Sequence, residues 1–283
     1  MAWERVELEK QIEINAFYSI FENKFPKDWY FDGESHDFWE CVYVIDGNIF
    51  ASGDGRIYNL TQGEMIFHKP MEFHRLWLDN KNAANVFIFT FSAKGALLNF
   101  FEDKVLQLSK KEKKIVLELL EFMRNAHSGK ELDDVPVEFK YLIPLAKEAG
   151  YLQSVASYVE LLLLSLWGTK NTSKTEDTEE AKIFYKAVEY MNGNISDKIS
   201  VDELAKHSKT SASTLKRLFA KYTGISIHRY FLNLKINSAT ELLNDGKSVT
   251  ETAEILGFSS QAHLSKVYKK MMGKSPSQIK REG

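Results

Sequence analysis

An internal repeat between residues 200 and 277 limits what this chain can fold into more than any other feature. Ser200-Val-Asp-Glu-Leu-Ala205 returns as Ser248-Val-Thr-Glu-Thr-Ala253, and Leu215-Lys-Arg-Leu-Phe219 with Gly224 returns as Leu264-Ser-Lys-Val-Tyr268 with Gly273. The offset grows from 48 to 49 residues, so the second copy carries one more residue in its turn. Each copy predicts a short serine-capped helix, a turn and a second capped helix. In copy one, Val201, Leu204 and Ala205 face Leu215, Leu218, Phe219 and Tyr222; in copy two, Val249, Ala253 and Leu256 face Leu264, Val267, Tyr268 and Met271. Small alanines where the helices cross permit the close, steep packing of a helix-turn-helix.

A helix packed on one side can offer only its opposite stripe to a DNA groove. That stripe is Ser213, Lys216 and Arg217 in copy one and Gln261, Ala262, Ser265 and Lys266 in copy two, and these are the candidate base contacts. Arginine and lysine can donate to guanine O6 and N7, and glutamine can pair bidentately with adenine. Ser200, Lys221, Lys247, Ser248, His263, Lys269 and Lys270 are candidate phosphate contacts, from helix starts or cationic ends. The competing reading is an ordinary solvated lysine-rich face; two copies with matching caps and cores weigh against it.

Between the copies, Ser226 can cap a helix running from Arg229 to Asn244, with Leu232, Ile236, Ala239 and Leu243 on one stripe and Gly246 as the stop. A rod of about fifteen residues is roughly 22 Å long. With a helix-turn-helix at each end, it predicts two recognition helices about one DNA turn apart, ~34 Å.

Charge is divided along the chain in keeping with this. Residues 179–283 hold 17 Lys+Arg and 11 Asp+Glu, a net +6, whereas the remainder holds 20 and 28, a net −8. A basic C-terminal module on an acidic body fits a local polyanion contact. At 283 residues with 44% hydrophobic content the chain can bury more than one core. Its one cysteine, Cys41, lies in an apolar run and reads as a small buried thiol, so no disulfide framework exists. The charged N-terminus and the short apolar run Leu161 to Leu164 match neither an export signal nor a membrane span, and a cytoplasmic location is expected.

Upstream, residues 15–92 read as short strands rich in aromatic and β-branched residues: 39–45, 48–51, 56–60, 64–67, 75–78 and 85–91, divided by turns such as Asp46-Gly47-Asn48. That spacing predicts a small antiparallel barrel or sandwich. From residue 96 to 167 the period becomes helical, with Ile115, Leu119 and Phe122 on one stripe and Leu152, Val155, Val159, Leu162, Leu163 and Leu166 on another. So broad an apolar face is expected to serve a homodimer interface ahead of purely intrachain packing. Residues 168–180 contain no apolar side chain and read as a linker. The resulting division is 1–95 barrel, 96–167 helical segment, 168–180 linker and 181–283 DNA-binding module.

From about Phe184 to Arg281 these residues resemble the AraC family of bacterial transcription regulators: Ala205 followed by Ser211, then 215–219 with Gly224; Ala253, Leu256-Gly-Phe-Ser259, Tyr268-Lys-Lys270 and Gly273-Lys-Ser-Pro-Ser277. Lys209 departs from a common turn glycine, Lys235 from the arginine usual in the linking helix, and Leu264 with Lys266 from a frequent Phe with Arg. Glu40 with Gly47, then Gly63, Pro70 and His74, resemble the cupin-type effector barrel of the same family. The resemblance implies a mixed two-domain fold, with an N-terminal all-β cupin-like barrel carrying appended helices and a C-terminal all-α tandem helix-turn-helix. It implies a non-enzymatic, dimeric regulator of DNA answering to a small-molecule effector, with RNA polymerase as a further partner.

Trp29, His36, Trp39, Glu40, Tyr43, His74, Arg75 and Trp77 are the candidate effector contacts, since aromatic walls with a few polar groups suit sugars or other small polar organics. Cupin enzymes hold a divalent ion through histidines and a carboxylate; the corresponding positions here resemble Glu34, His36, Glu40 and His74, with the first histidine replaced. On ligand identity the set is incomplete, and neither a metal nor another cofactor is expected. A cupin metalloenzyme with a DNA-binding tail and an effector-independent regulator are the alternatives.

Overall fold

The computed structural model describes residues 5–7, 9–53, 55–128, 135–170, 172 and 175–279. The chain opens with eight strands: β1 Glu13–Phe25, β2 Trp39–Asp46, β3 Asn48–Gly53, β4 Arg56–Thr61, β5 Glu64–His68, β6 His74–Trp77, β7 Ala84–Lys94 and β8 Val105–Gln107. They form two antiparallel sheets, ordered β1-β7-β2-β5-β8 and β4-β3-β6.

Strand alternation sorts the side chains into two cores. On β2, Val42 and Val44 point between the sheets, where they meet Ile49, Ala51, Leu60, Leu76, Val86 and Ile88. Trp39, Cys41 and Tyr43 point the other way and join Phe87, Phe89 and Phe91 beneath two helices. Those helices are α1 Lys110–His127 and α2 Tyr151–Leu166. Ser109 and Glu112 close a capping box at the start of α1.

The apolar stripe of α2 is consumed within the chain. Val155, Val159, Leu162, Leu163 and Leu166 are fully buried in the core between helices and sheet. They therefore do not form the intersubunit face expected of them; the sheet claims them because its outer aromatic face would otherwise meet water. Leu117, Leu161, Leu164 and Trp167 remain exposed. The boundary at residue 95 also shifts, because β8 pairs with β5 and extends the sheet past residue 105. A three-residue strand is too short to show a period.

The stretch read as a linker is partly docked. Thr172 N donates to Val105 O and Glu176 N to Ile57 O, and Thr175 bridges to Tyr58.

The C-terminal region is helical: α3 Glu179–Gly193, α4 Val201–His207, α5 Ala212–Thr223, α6 Ile227–Asn244, α7 Val249–Ile255, α8 Gln261–Met272 and α9 Pro276–Ile279. The repeat appears as two equal pairs, with α4 and α7 of seven residues and α5 and α8 of twelve. All four start at a serine whose hydroxyl accepts the backbone N–H three residues on, at 3.1 Å in each: Ser200, Ser211, Ser248 and Ser260. Both second helices end at a left-handed glycine, Gly224 and Gly273. The linking helix α6 has 18 residues, capped by Ser226, which makes it roughly 27 Å long.

One buried cation ties the two pairs together. Lys235 in α6 donates to Asp197 O ahead of α4 at 3.2 Å and to Leu256 O at the end of α7 at 2.8 Å. Beside it, Gly257 adopts φ 65°, and a Cβ there would lie 1.7 Å from Ser196 O. Lys209, in the matching turn of the first pair, holds φ 54° without glycine.

Candidate functional site

The recognition helices present the stripes expected from the repeat. Ser213, Lys216, Arg217, Gln261, Ala262 and Lys266 are exposed and Ser265 is half-buried, while Leu215, Leu218, Leu264 and Tyr268 turn inward. Lys216 and Lys266 have no ion-pair partner among the described residues. Arg217 and Lys221 do: Glu180, in the first turn of α3, accepts from Arg217 Nη2 at 2.7 Å and from Lys221 Nζ at 2.6 Å. Hydrogen bonding from Lys221 and then Arg217 holds its carboxyl below the ordinary carboxylate value. Gln261 uses its side-chain oxygen to accept from Thr250 at 3.0 Å.

Among the candidate phosphate contacts, Ser200, Lys221, Lys247, His263, Lys269 and Lys270 are exposed and Ser248 is half-buried. Ser200 and Ser248 spend their lone pairs as helix caps, which leaves each hydroxyl a proton to donate. His263 Nδ1 lies 3.0 Å from Ser259 Oγ.

In the N-terminal domain a cavity of about 660 Å³ opens between the sheets. Of the candidate effector contacts, Trp29 and Glu40 line it, together with Tyr18, Phe21, Phe25, Tyr30, Phe31 and Phe38, and with Ser19, Glu34 and Thr90 as polar points. Trp39 and Tyr43 do not: each is an odd step along β2 from Glu40, so the pleat turns both into the core under the helices. Arg75 and Trp77 fail for the same reason on β6, where His74 and Leu76 face inward and Arg75 and Trp77 face out. Most of the missed aromatics belong to β1 and the following loop. Register shifts between Ile14 and Ala16 and between Phe17 and Ser19 interrupt β1's alternation; its inward Phe21 and Phe25 were the available signal.

His36 and His74 stand behind the cavity wall at Glu40. Their Nε2 atoms lie 3.8 Å and 3.5 Å from the Glu40 carboxylate, and His36 Nε2 is 3.9 Å from Glu34. Burial disfavours an ionised Glu40, but the positive charge of His74 and the nearby His36 outweigh it and hold its pKa well below the usual range. Burial likewise lowers His74, yet the Glu40 carboxylate reverses this and raises it to about 9.

Arg75 and Trp77 instead meet the first helix-turn-helix. Arg75 Nη1 donates to Ala220 O at 3.2 Å and also to Lys221 O, at the end of α5, while its Nε donates to Phe31 O at 3.1 Å. Its guanidinium lies over the rings of Trp77 and Tyr30, at 5.6 and 5.8 Å. Ser52 Oγ donates to Tyr222 O at 2.8 Å, Trp77 packs near Tyr222, and Gly224 approaches Asp32 so closely that a Cβ would lie 2.6 Å from its carbonyl.

A cavity-bearing antiparallel barrel docked on a tandem helix-turn-helix defines a DNA-binding transcriptional regulator with a ligand-binding domain. Residues 20–129 match the AraC-like ligand binding domain family and residues 204–282 a helix-turn-helix domain family. The chain belongs to the AraC family of transcriptional regulators, a non-enzymatic family. It is 39% identical over 90 residues to the HTH-type transcriptional regulator GbdR of Pseudomonas aeruginosa, a match covering 31% of this chain and 24% of GbdR. It is 25% identical over 263 residues to the HTH-type transcriptional activator RhaS of Yersinia pestis, covering 88% of this chain and 89% of RhaS. Among solved structures, ToxT from Vibrio cholerae aligns over 96% of this chain and 98% of its own, at 14% identity and a TM-score of 0.38. No helix among the described residues is long and apolar enough to cross a membrane.

Proposed function

We propose that this chain is an effector-gated, sequence-specific regulator in which occupancy of the interior cavity is passed to the first recognition helix through Arg75. The observation that carries this reading is the position of Arg75: one guanidinium group holds Phe31 O, at the cavity wall, and two carbonyls at the end of α5. A ligand that moves Tyr30 or Phe31 changes the energy of those bonds, and the differential affinity of the two states for that ligand sets how far the helix-turn-helix responds.

The effector is a sugar or another small polar organic. Aromatic walls offer ring-stacking area, and Ser19, Glu34, Glu40 and Thr90 offer a few polar anchors. No Lys, Arg or His is among the described lining residues, which disfavours an organic acid. Ser213, Lys216, Arg217, Gln261, Ala262, Ser265 and Lys266 read bases, and Ser200, Lys221, Lys247, Ser248, His263, Lys269 and Lys270 hold phosphates. The protein works in the cytoplasm, where its DNA target lies, as a homodimer through the exposed Leu117, Leu161, Leu164 and Trp167, and acts on transcription through RNA polymerase.

The test is DNA affinity measured by fluorescence anisotropy on promoter fragments recovered by genome-wide mapping, with and without effectors found by thermal shift. Arg217→Ala and Lys266→Ala each lose about 1–3 kcal/mol on the specific site. Arg75→Ala keeps effector binding but abolishes its influence on DNA affinity. Unchanged sequence preference in the first two variants refutes the base contacts; an intact effector response in the third refutes the route.

A further inference from the structure

We infer that Glu34, His36, Glu40 and His74 form a binding site for one divalent transition-metal ion at the cavity wall. Each residue directs one donor atom into a common space, and all four donor atoms lie within 4.8 Å of one another. The closest separations, 3.5 Å, 3.8 Å and 3.9 Å, are too long for hydrogen bonds, which close at about 2.7–3.2 Å. Ligands at ~2.0–2.2 Å in a tetrahedron stand roughly 3.3–3.6 Å apart; the 3.5 Å pair lies in that range and the 3.8 Å and 3.9 Å pairs close to it with a small inward movement of His36.

The imidazoles are already turned for this task. His36 Nδ1 lies 2.9 Å from Phe38 O and His74 Nδ1 lies 3.1 Å from Glu72 O. A carbonyl can only accept, so both Nδ1 atoms carry the proton and both Nε2 atoms face the carboxylates. Each Nε2 is buried and without a hydrogen-bond partner, and the His74 side chain is 0% exposed. Two buried Nε2 atoms without a hydrogen-bond partner, facing two carboxylates, call for a positive charge between them, which a metal ion can supply in place of an imidazole proton. A backbone carbonyl behind each ligating histidine is also the outer partner that fixes a ring for metal binding.

The frame is stiff. Glu34 and His74 exchange both backbone hydrogen bonds at 3.0 Å, Glu40 sits on the central strand β2, and His74 opens β6. Two imidazoles with two carboxylates select zinc, iron, manganese, cobalt or nickel over soft copper(I) or the all-oxygen ions. The glutamate at position 34 thus supplies a fourth donor rather than breaking the set. Since Glu34 and Glu40 also line the cavity, the ion forms a polar part of that wall.

The experiment uses tag-free full-length protein, stripped with a chelator and titrated with Zn²⁺ by calorimetry and with Co²⁺ by visible absorption. The expected result is saturation at one ion per chain, with d–d bands from the bound cobalt. Glu34→Gln, at a half-exposed position where folding is not at stake, and His36→Ala weaken binding by more than the ~100-fold that follows loss of an outer partner, while circular dichroism stays native. No saturable binding by the wild-type chain means that a proton alone fills the gap and overturns the inference. Wild-type affinity in both variants overturns it as well.

Discussion

Replacing Glu180 by Gln is expected to tighten DNA binding, although Glu180 is not itself one of the proposed DNA contacts. Its carboxylate holds Arg217 at 2.7 Å and Lys221 at 2.6 Å, so one proposed base contact and one proposed phosphate contact must be freed before either reaches a duplex. The three side chains are 37%, 57% and 47% exposed, which places each pair in the solvent-screened class worth about 0.2–1 kcal/mol. Releasing both makes binding easier by about 1 kcal/mol, or roughly fivefold in Kd. Fluorescence anisotropy on a cognate duplex at fixed salt measures the change. The same substitution in an Arg217→Ala, Lys221→Ala background gives no gain, because the double-mutant cycle removes the groups through which Glu180 acts. An affinity that stays within twofold of wild type, or a gain that persists in that background, would show that Glu180 does not hold back the recognition helix.

Three further outcomes are expected. Gly257→Ala forces a side chain into left-handed backbone and against Ser196 O, and lowers stability in urea unfolding by more than the ~1–2 kcal/mol that the backbone conformation alone costs; Lys209→Gly, in the matching turn, does not destabilise. Lys235→Met strands Asp197 O and Leu256 O and costs about 1–3 kcal/mol by the same assay, while Lys235→Arg, which retains donors, keeps most of it. Cys41 is fully buried, and burial pushes its thiol well above its ordinary value, so a thiol reagent modifies it only at the rate of unfolding; rapid labelling of native protein would contradict the packing of β2.

The DNA-binding half was legible because its information is local. Serines one turn ahead of each apolar stripe, the left-handed glycines and the 3.6-residue period all act within a few residues, and the helices formed where those signals lie. The cavity was less legible because its walls are set by pairing across the sheet. Trp39 and Tyr43 flank Glu40 in sequence but stand on the opposite face of β2, and Arg75 and Trp77 stand opposite His74 on β6. Proximity in sequence is misleading wherever neighbours alternate. The apolar stripe of α2 was readable as a buried face, but its partner was not, since a sheet and a second subunit ask the same pattern of a helix. Residue type marked Glu34 as a replacement in an incomplete set of donors; its backbone pairing with His74 is a long-range fact that residue type does not carry.

The anchoring of both helical pairs by Lys235 has a mechanical consequence for the operator. With one ammonium group fastening the approach to α4 and the end of α7, the protein holds its two reading heads like the jaws of a fixed caliper. An operator whose half-sites are lengthened by a base pair cannot be met by slack in the protein, so the misfit falls on the duplex, and half-sites separated by flexible pyrimidine–purine steps would absorb it at the smallest cost.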